Sequence, residues 1–131
     1  MGIDVFVACY RNGEMASFPR RIVEEIFGKY INNKEDDCWS PEFSDGGGCN
    51  VFITAEPQIG HFMVGHAVAS PELWDCLFQA LVRTGSFLIL PSGQVVVADP
   101  SVMDHLEKGF LKPHEAAIVV KGGEEIRDAI D

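Results

Sequence analysis

The side chains in this chain that could attack a substrate, move a proton or hold a metal are four cysteines and four histidines. Cys9, Cys38, Cys49 and Cys76 lie 29, 11 and 27 residues apart, with no C-x-x-C pair. A disulfide framework is not expected in a non-secreted domain of this size, so these cysteines read as buried thiols. His61 and His66 are separated by an odd number of residues, so a regular strand would point them to opposite faces. Sharing a metal would require a bulge between them. His105 and His114 have no ligand-spaced cysteine or carboxylate around them. No metal and no cofactor are expected.

Cys49 could serve as a nucleophile only if a neighbour lowered its pKa. Its surroundings in sequence are acidic, which raises a thiol pKa instead. A small enzyme or ligand-binding domain, with a pocket around Cys49, His61, His66 and Tyr10, therefore stands as the alternative function. Gly46-Gly47-Gly48 lacks the Gly-Lys-Ser/Thr ending of a phosphate loop and precedes a strand, which makes it a hairpin turn. Glu24-Glu25 and Asp36-Asp37 are adjacent pairs that share no helix face and enclose no site. Trp39 and Trp74 read as core or interface anchors.

Charge is the most informative property. Ten basic residues stand against twenty acidic ones, a net charge of −10. Such a field repels nucleic acid and anionic membrane surfaces and attracts a basic protein. The charge is also unevenly placed. No Lys or Arg occurs from Glu35 to Val82, where eight acids stand: Glu35, Asp36, Asp37, Glu42, Asp45, Glu56, Glu72 and Asp75. If this stretch forms one face, that face is uniformly negative, either as a solvated surface or as a docking surface.

The elements that must position these groups are legible from period and punctuation. Residues 3–10 alternate Ile3, Val5, Val7 with Asp4, Phe6, Ala8 and predict a strand, closed by a turn at Arg11-Asn12-Gly13-Glu14. Ser17 is the expected N-cap of a helix that carries Pro19 in its first turn and an apolar stripe of Ile22, Ile26 and Tyr30. Residues 31–37 read as a polar loop. Residues 38–43 and 49–55 flank the glycine-rich turn as a hairpin, and a turn at 57–60 leads to a strand at 61–69. Ser70-Pro71-Glu72 starts a widely apolar helix that stops at Gly85. A hairpin of 86–90 with 94–98, a short helix from Asp99-Pro100 to near Gly109, a last strand at 116–120 and a frayed helix at 124–130 complete the chain. The order does not alternate as in a doubly wound sheet. It predicts a single α+β domain, residues 1–131, with a mostly antiparallel sheet and helices packed on one face.

No stretch approaches the length of a membrane span, and the start lacks the basic and apolar regions of a signal peptide. Gly2 fails as a myristoylation site because position 6 is Phe6 rather than Ser or Thr. A cytoplasmic location is expected.

The Ile3-Asp4-Val5 strand, Gly13-Glu14, Phe18-Pro19-Arg20 and the helix ending near Phe27 resemble the start of a group of small uncharacterised bacterial proteins. Asp45-Gly46-Gly47 and Leu73-Trp74-Asp75 resemble the same group. In general character the chain is similar to immunity proteins, which neutralise toxins passed between competing bacteria. That similarity implies a protein-binding module rather than an enzyme, with an acidic face that covers a cationic partner. Glu35, Asp36, Asp37, Glu42 and Asp45 would steer the partner, and Trp39 or Phe43 would anchor it. The chain would be a monomer, or a homodimer joined along the edge of the meander.

Overall fold

The computed structural model describes residues 3–12, 14–34, 37–67, 70–106 and 117–130. Strand β1 (Ile3–Ala8) buries Val5 and Val7 completely and turns Asp4 and Phe6 outward, as the alternation requires. It ends earlier than its pattern suggests. Tyr10–Arg11 (β2) instead folds against Glu14–Met15 (β3) as a separate small hairpin.

Phe18–Pro19 (β4) is extended and pairs with Gln58–Ile59 (β8), so helix α1 runs only from Arg20 to Phe27. Pro19, rather than Ser17, holds the N-cap position. The steric bias of a residue before proline toward extended backbone explains the late start. A 3-10 turn (Gly28–Tyr30) then delivers the chain into Ile31–Lys34 (β5). This strand replaces the expected loop. It lies at one edge of the sheet, where a single ladder suffices and polar residues are tolerated.

The meander forms as expected. Cys38–Pro41 (β6), Asn50–Phe52 (β7) and His61–Ala67 (β9) pair antiparallel, and Gly46 takes φ +88° in the turn between the first two. Helix α2 (Pro71–Thr84) buries Leu73, Trp74, Leu77 and Leu81, and closes on Gly85 at φ +67°. Phe87–Ile89 (β10) and Val95–Val97 (β11) form the next hairpin. Helix α3 (Ser101–Leu106) starts with Asp99 Oδ1 accepting the Ser101 N–H at 2.9 Å. Ile118–Val119 (β12) pairs parallel with β11, and α4 (Gly123–Ile130) ends the described chain.

Among the described residues, eight strands make the main sheet, in the order β12-β11-β10-β1-β9-β7-β6-β5, and every pairing except β11–β12 is antiparallel. Helices α1, α2 and α4 pack on one face over a core that includes Val5, Val7, Phe27, Phe62, Leu77 and Ile126. This is the expected α+β arrangement. A smaller apolar group of Phe87, Val95, Val97 and Val102 sits on the opposite face, where α3 and the β2–β3 hairpin cover one end of the sheet.

Helix α4 is docked rather than frayed, because Gly123 lets it approach α2 closely. A Cβ at Gly123 would lie 2.7 Å from the Trp74 carbonyl carbon and the Asp75 nitrogen, whereas one at Gly122 would meet nothing within 4 Å. Gly123→Ala is therefore expected to cost about 1–3 kcal/mol of stability, with Gly122→Ala close to neutral. Urea melts of the two variants check this, and equal midpoints would contradict the close approach.

Candidate functional site

The residue pattern across the uncovered face of the sheet comes from strand register. Phe6 on β1 pairs with Ile89 on one side and Met63 on the other; Met63 pairs with Phe52, and Phe52 with Cys38. Directly paired residues point the same way, so Ile89, Phe6, Met63, Phe52 and Cys38 form one row across five strands. They face away from α1, α2 and α4. Phe6 is 47% exposed and Phe52 36%, although both are large aromatics in the middle of a sheet. An open cleft of about 650 Å³ lies along the row, with Phe6, Phe52, Met63, His61, Thr54 and Asp37 among its lining residues. Among the described residues, no Lys or Arg lines it.

A bulge shapes this face. Between the pairs Ile3–Ala67 and Val5–Val64 the register shifts, leaving Gly65 and His66 opposite Asp4. Asp4 Oδ1 accepts the His66 N–H at 3.1 Å, and His66 adopts φ +52°, a left-handed conformation costly for a side chain with a Cβ. A Cβ at Gly65 would meet Phe52 Cε2 at 3.0 Å, Asp4 Oδ1 at 3.2 Å and Met63 Cε at 3.4 Å. The absence of a side chain there is what allows the Phe52 ring to lie across the strand.

The acidic stretch does not form one face. Asp37 is exposed at the cleft, and Glu56 lies in a groove beside Arg20 and Arg21. Glu42 and Asp45 are exposed around the 44–48 turn, where Asp45 Oδ1 accepts the Gly47 N–H at 3.0 Å. Glu35 and Asp36 lie outside the described residues. That turn is fastened to α2 by Glu72, whose Oε1 accepts from Ser44 Oγ at 2.5 Å and from Ser44 N at 2.7 Å. Lys29, distant in sequence, stands 5.1 Å over the Tyr30 ring. Its ammonium is held above its ordinary pKa, first by its hydrogen bond to Tyr30 and also by the charge of Asp75. The surface is thus not uniformly negative.

The two expected anchors are internal. Trp39 is 0% exposed, with the Arg20 guanidinium 5.1 Å from its ring centroid, and Arg20 in turn pairs with Glu24. Phe43 is buried edge-on against Tyr30, their centroids 5.0 Å apart. Neither reaches the surface. Among the described residues, Phe6 and Phe52 are the large aromatics that do. The signal for Phe6 was its place on the polar parity of the first strand.

The residues of the enzymatic alternative do not converge. Cys49 belongs to the core on the helix side, where burial pushes its thiol up to about 12. His61 pairs with Ala8 on the opposite face, and Tyr10 packs edge-on against Phe87 with centroids 5.6 Å apart. Although a bulge does occur, His61 and His66 remain five residues apart along a strand, roughly 16 Å. Among the described residues, no group of three or more His, Cys, Asp and Glu side chains could hold a metal. His114 lies outside them, while His105 Nδ1 accepts the Asn12 N–H at 3.1 Å and ties α3 to the β2–β3 hairpin. Cys9 and Cys76 are also buried, and burial is the main cause raising both thiols, Cys76 to about 12. Nothing in these settings activates a thiol.

Comparison with protein-family models, curated proteins and solved structures gave no match. No helix among the described residues is long and apolar enough to cross a membrane.

Two tests follow from this geometry. His66→Gly is expected to stabilise the fold by about 0.5–1 kcal/mol, and His66→Val to destabilise it, as measured by urea unfolding. The opposite order would contradict the left-handed bulge. The Ser44 hydroxyl, then its backbone N–H, hold the Glu72 carboxyl below its ordinary pKa. The stabilisation from this contact is complete above the unfolded carboxyl's value, about 4.3, and is lost as pH falls toward the lower folded value. Glu72→Gln should therefore flatten the acid limb of a Tm-against-pH curve, and an unchanged slope would show that the contact does not hold in solution.

Proposed function

We propose that this chain is a protein-binding module for a basic partner and that the open sheet face is the surface it uses. The observation that supports this reading is the pair of exposed aromatics, Phe6 and Phe52, on the part of that face, across β1, β9, β7 and β6, that no described residue covers. Exposing such apolar area forgoes burial worth about 25 cal/mol per Å², so a soluble monomer rarely keeps a contiguous patch without a use. Phe6 and Phe52 have the character of anchors, being rigid and held on paired strands.

Charge favours a cationic partner over a second copy. At net −10 two copies repel one another, whereas a basic protein is drawn toward a cleft bordered by Asp37 and, among the described residues, lined by no Lys or Arg. A standard interface of about 800 Å² per side fits the width of this sheet. An immunity-like role, in which the chain neutralises a basic toxin such as a nuclease, is consistent with the size and acidity of the molecule. On this reading the exposed acids Asp37, Glu42 and Asp45 accelerate encounter, and the aromatic row supplies affinity.

The chain, immobilised, should retain a basic protein from the lysate of its host. With that protein purified, Phe6→Ser combined with Phe52→Ser is expected to weaken Kd by about 30-fold or more. The wild-type Kd should also rise with salt. A Kd indifferent to both changes would sink the proposal. So would a dimer seen by sedimentation and lost in the double variant, which would give the face to a second copy.

A further inference from the structure

On the helix side of the sheet, far from the aromatic row, the first turn of α2 and the helix α4 enclose a second concavity. Its volume is about 280 Å³ and it is lined by Ser70, Pro71, Trp74, Glu124 and Arg127. Pockets for drug-sized ligands begin near about 300 Å³, so this one suits a smaller molecule.

Ser70 holds the N-cap position of α2, with extended backbone at φ −153° and ψ 134°, yet its side chain does not cap the helix. The residue is 1% exposed, and its Oγ has no hydrogen-bond partner among the described residues. A buried hydroxyl left unpaired in a folded protein calls for a reason, and an absent ligand is one. The setting is electrostatically prepared for an anion. Helix α2 is 14 residues long; Pro71 has no N–H, but the Glu72 and Leu73 amides have no acceptor within the helix, and its dipole is positive at this end. Arg127 brings a guanidinium, of which one nitrogen pairs with Asp128 at 3.2 Å, leaving other donors for a second partner.

Glu124 adds the opposite charge three residues before Arg127 on the same helix face. A bare anion would be repelled by Glu124, and a bare cation by Arg127. A small molecule carrying both a carboxylate and an ammonium group satisfies the two together. Trp74 and Pro71 offer it an apolar wall. We propose that this cavity binds a free α-amino acid with an apolar side chain. Its carboxylate meets Ser70, Arg127 and the start of α2, its ammonium meets Glu124, and its side chain rests on Trp74.

The test uses calorimetric titration and thermal shift of the full chain with L-leucine, L-methionine and L-phenylalanine up to about 10 mM. At least one should bind saturably and raise Tm. Leucinamide, which lacks the carboxylate, and 4-methylpentanoate, which lacks the amine, should each bind at least about tenfold more weakly than leucine. Ser70→Ala and Arg127→Gln should each weaken binding by about tenfold or more. Ser70→Ala removes a hydroxyl with no partner, so the ligand-free Tm should hold or rise, which separates lost binding from lost folding. Absence of heat and of any Tm shift with all three amino acids would overturn the proposal, as would binding unchanged in both variants. Inorganic phosphate binding as tightly as the amino acid would overturn the zwitterion assignment. None of these variants touches Phe6 or Phe52, so failure here leaves the protein-binding reading standing on its own test.

Discussion

Strand β1 is hydrogen-bonded on both sides, to β9 and to β10, and among the described residues it alone joins the two halves of the main sheet. On one side of it lie β9, β7, β6 and β5, and on the other β10, β11 and β12. Its inward residues, Val5 and Val7, sit at the centre of the core against the helices. Its outward residues belong to the opposite surface: Asp4 fixes the bulge and Phe6 occupies the middle of the aromatic row. A strand has two faces at fixed parity, so the position that makes the core also determines which side chain is offered to solvent.

This arrangement separates the molecule into two chemically different sides. The helix side holds the main apolar core and three thiols, and its cysteines are too deeply buried to ionise near neutrality. Among the described residues, the opposite side is sealed only at the β10–β11 end, by α3 and the small hairpin, and is left open across β1, β9, β7 and β6. The bulge at Gly65 and His66 adds local strain there, and strain of this kind persists where the surrounding structure over-determines it. Reactive groups are scattered between the two sides. Shape and charge, rather than chemistry, distinguish the open face.

Much of the fold was legible because it rests on local signals. Ser70-Pro71-Glu72 and Gly85 bracket α2, the glycine-rich turn gives the β6–β7 hairpin, and the alternation of residues 3–8 gives β1. Strand β5 was not legible, since an edge strand has little need of apolar residues and Asn-Asn-Lys reads as a loop. The candidate surface was harder still. Trp39 and Phe43 are aromatic residues beside acids, which is also how an interface reads, but Arg20 and Tyr30 close over them from elements outside that stretch. The eight acids are contiguous in sequence, yet the chain reverses direction several times between residues 37 and 75 and distributes them over separate surfaces. The row itself depends on the register of five strands, and no single segment contains it.

The central position of β1 also bears on how the molecule is made. Strand β1 is synthesised long before the strands it pairs with: Val5 pairs with Val64, and Val7 with Leu88. Until those residues are synthesised, β1 has neither neighbour and its valines stay in water. Non-local pairing of this kind slows folding, because the entropy of closing long loops is lost before any contact compensates for it. The nascent chain therefore carries an unpaired, alternating apolar segment until β9 has followed it, in the condition where aggregation and chaperone capture compete with folding.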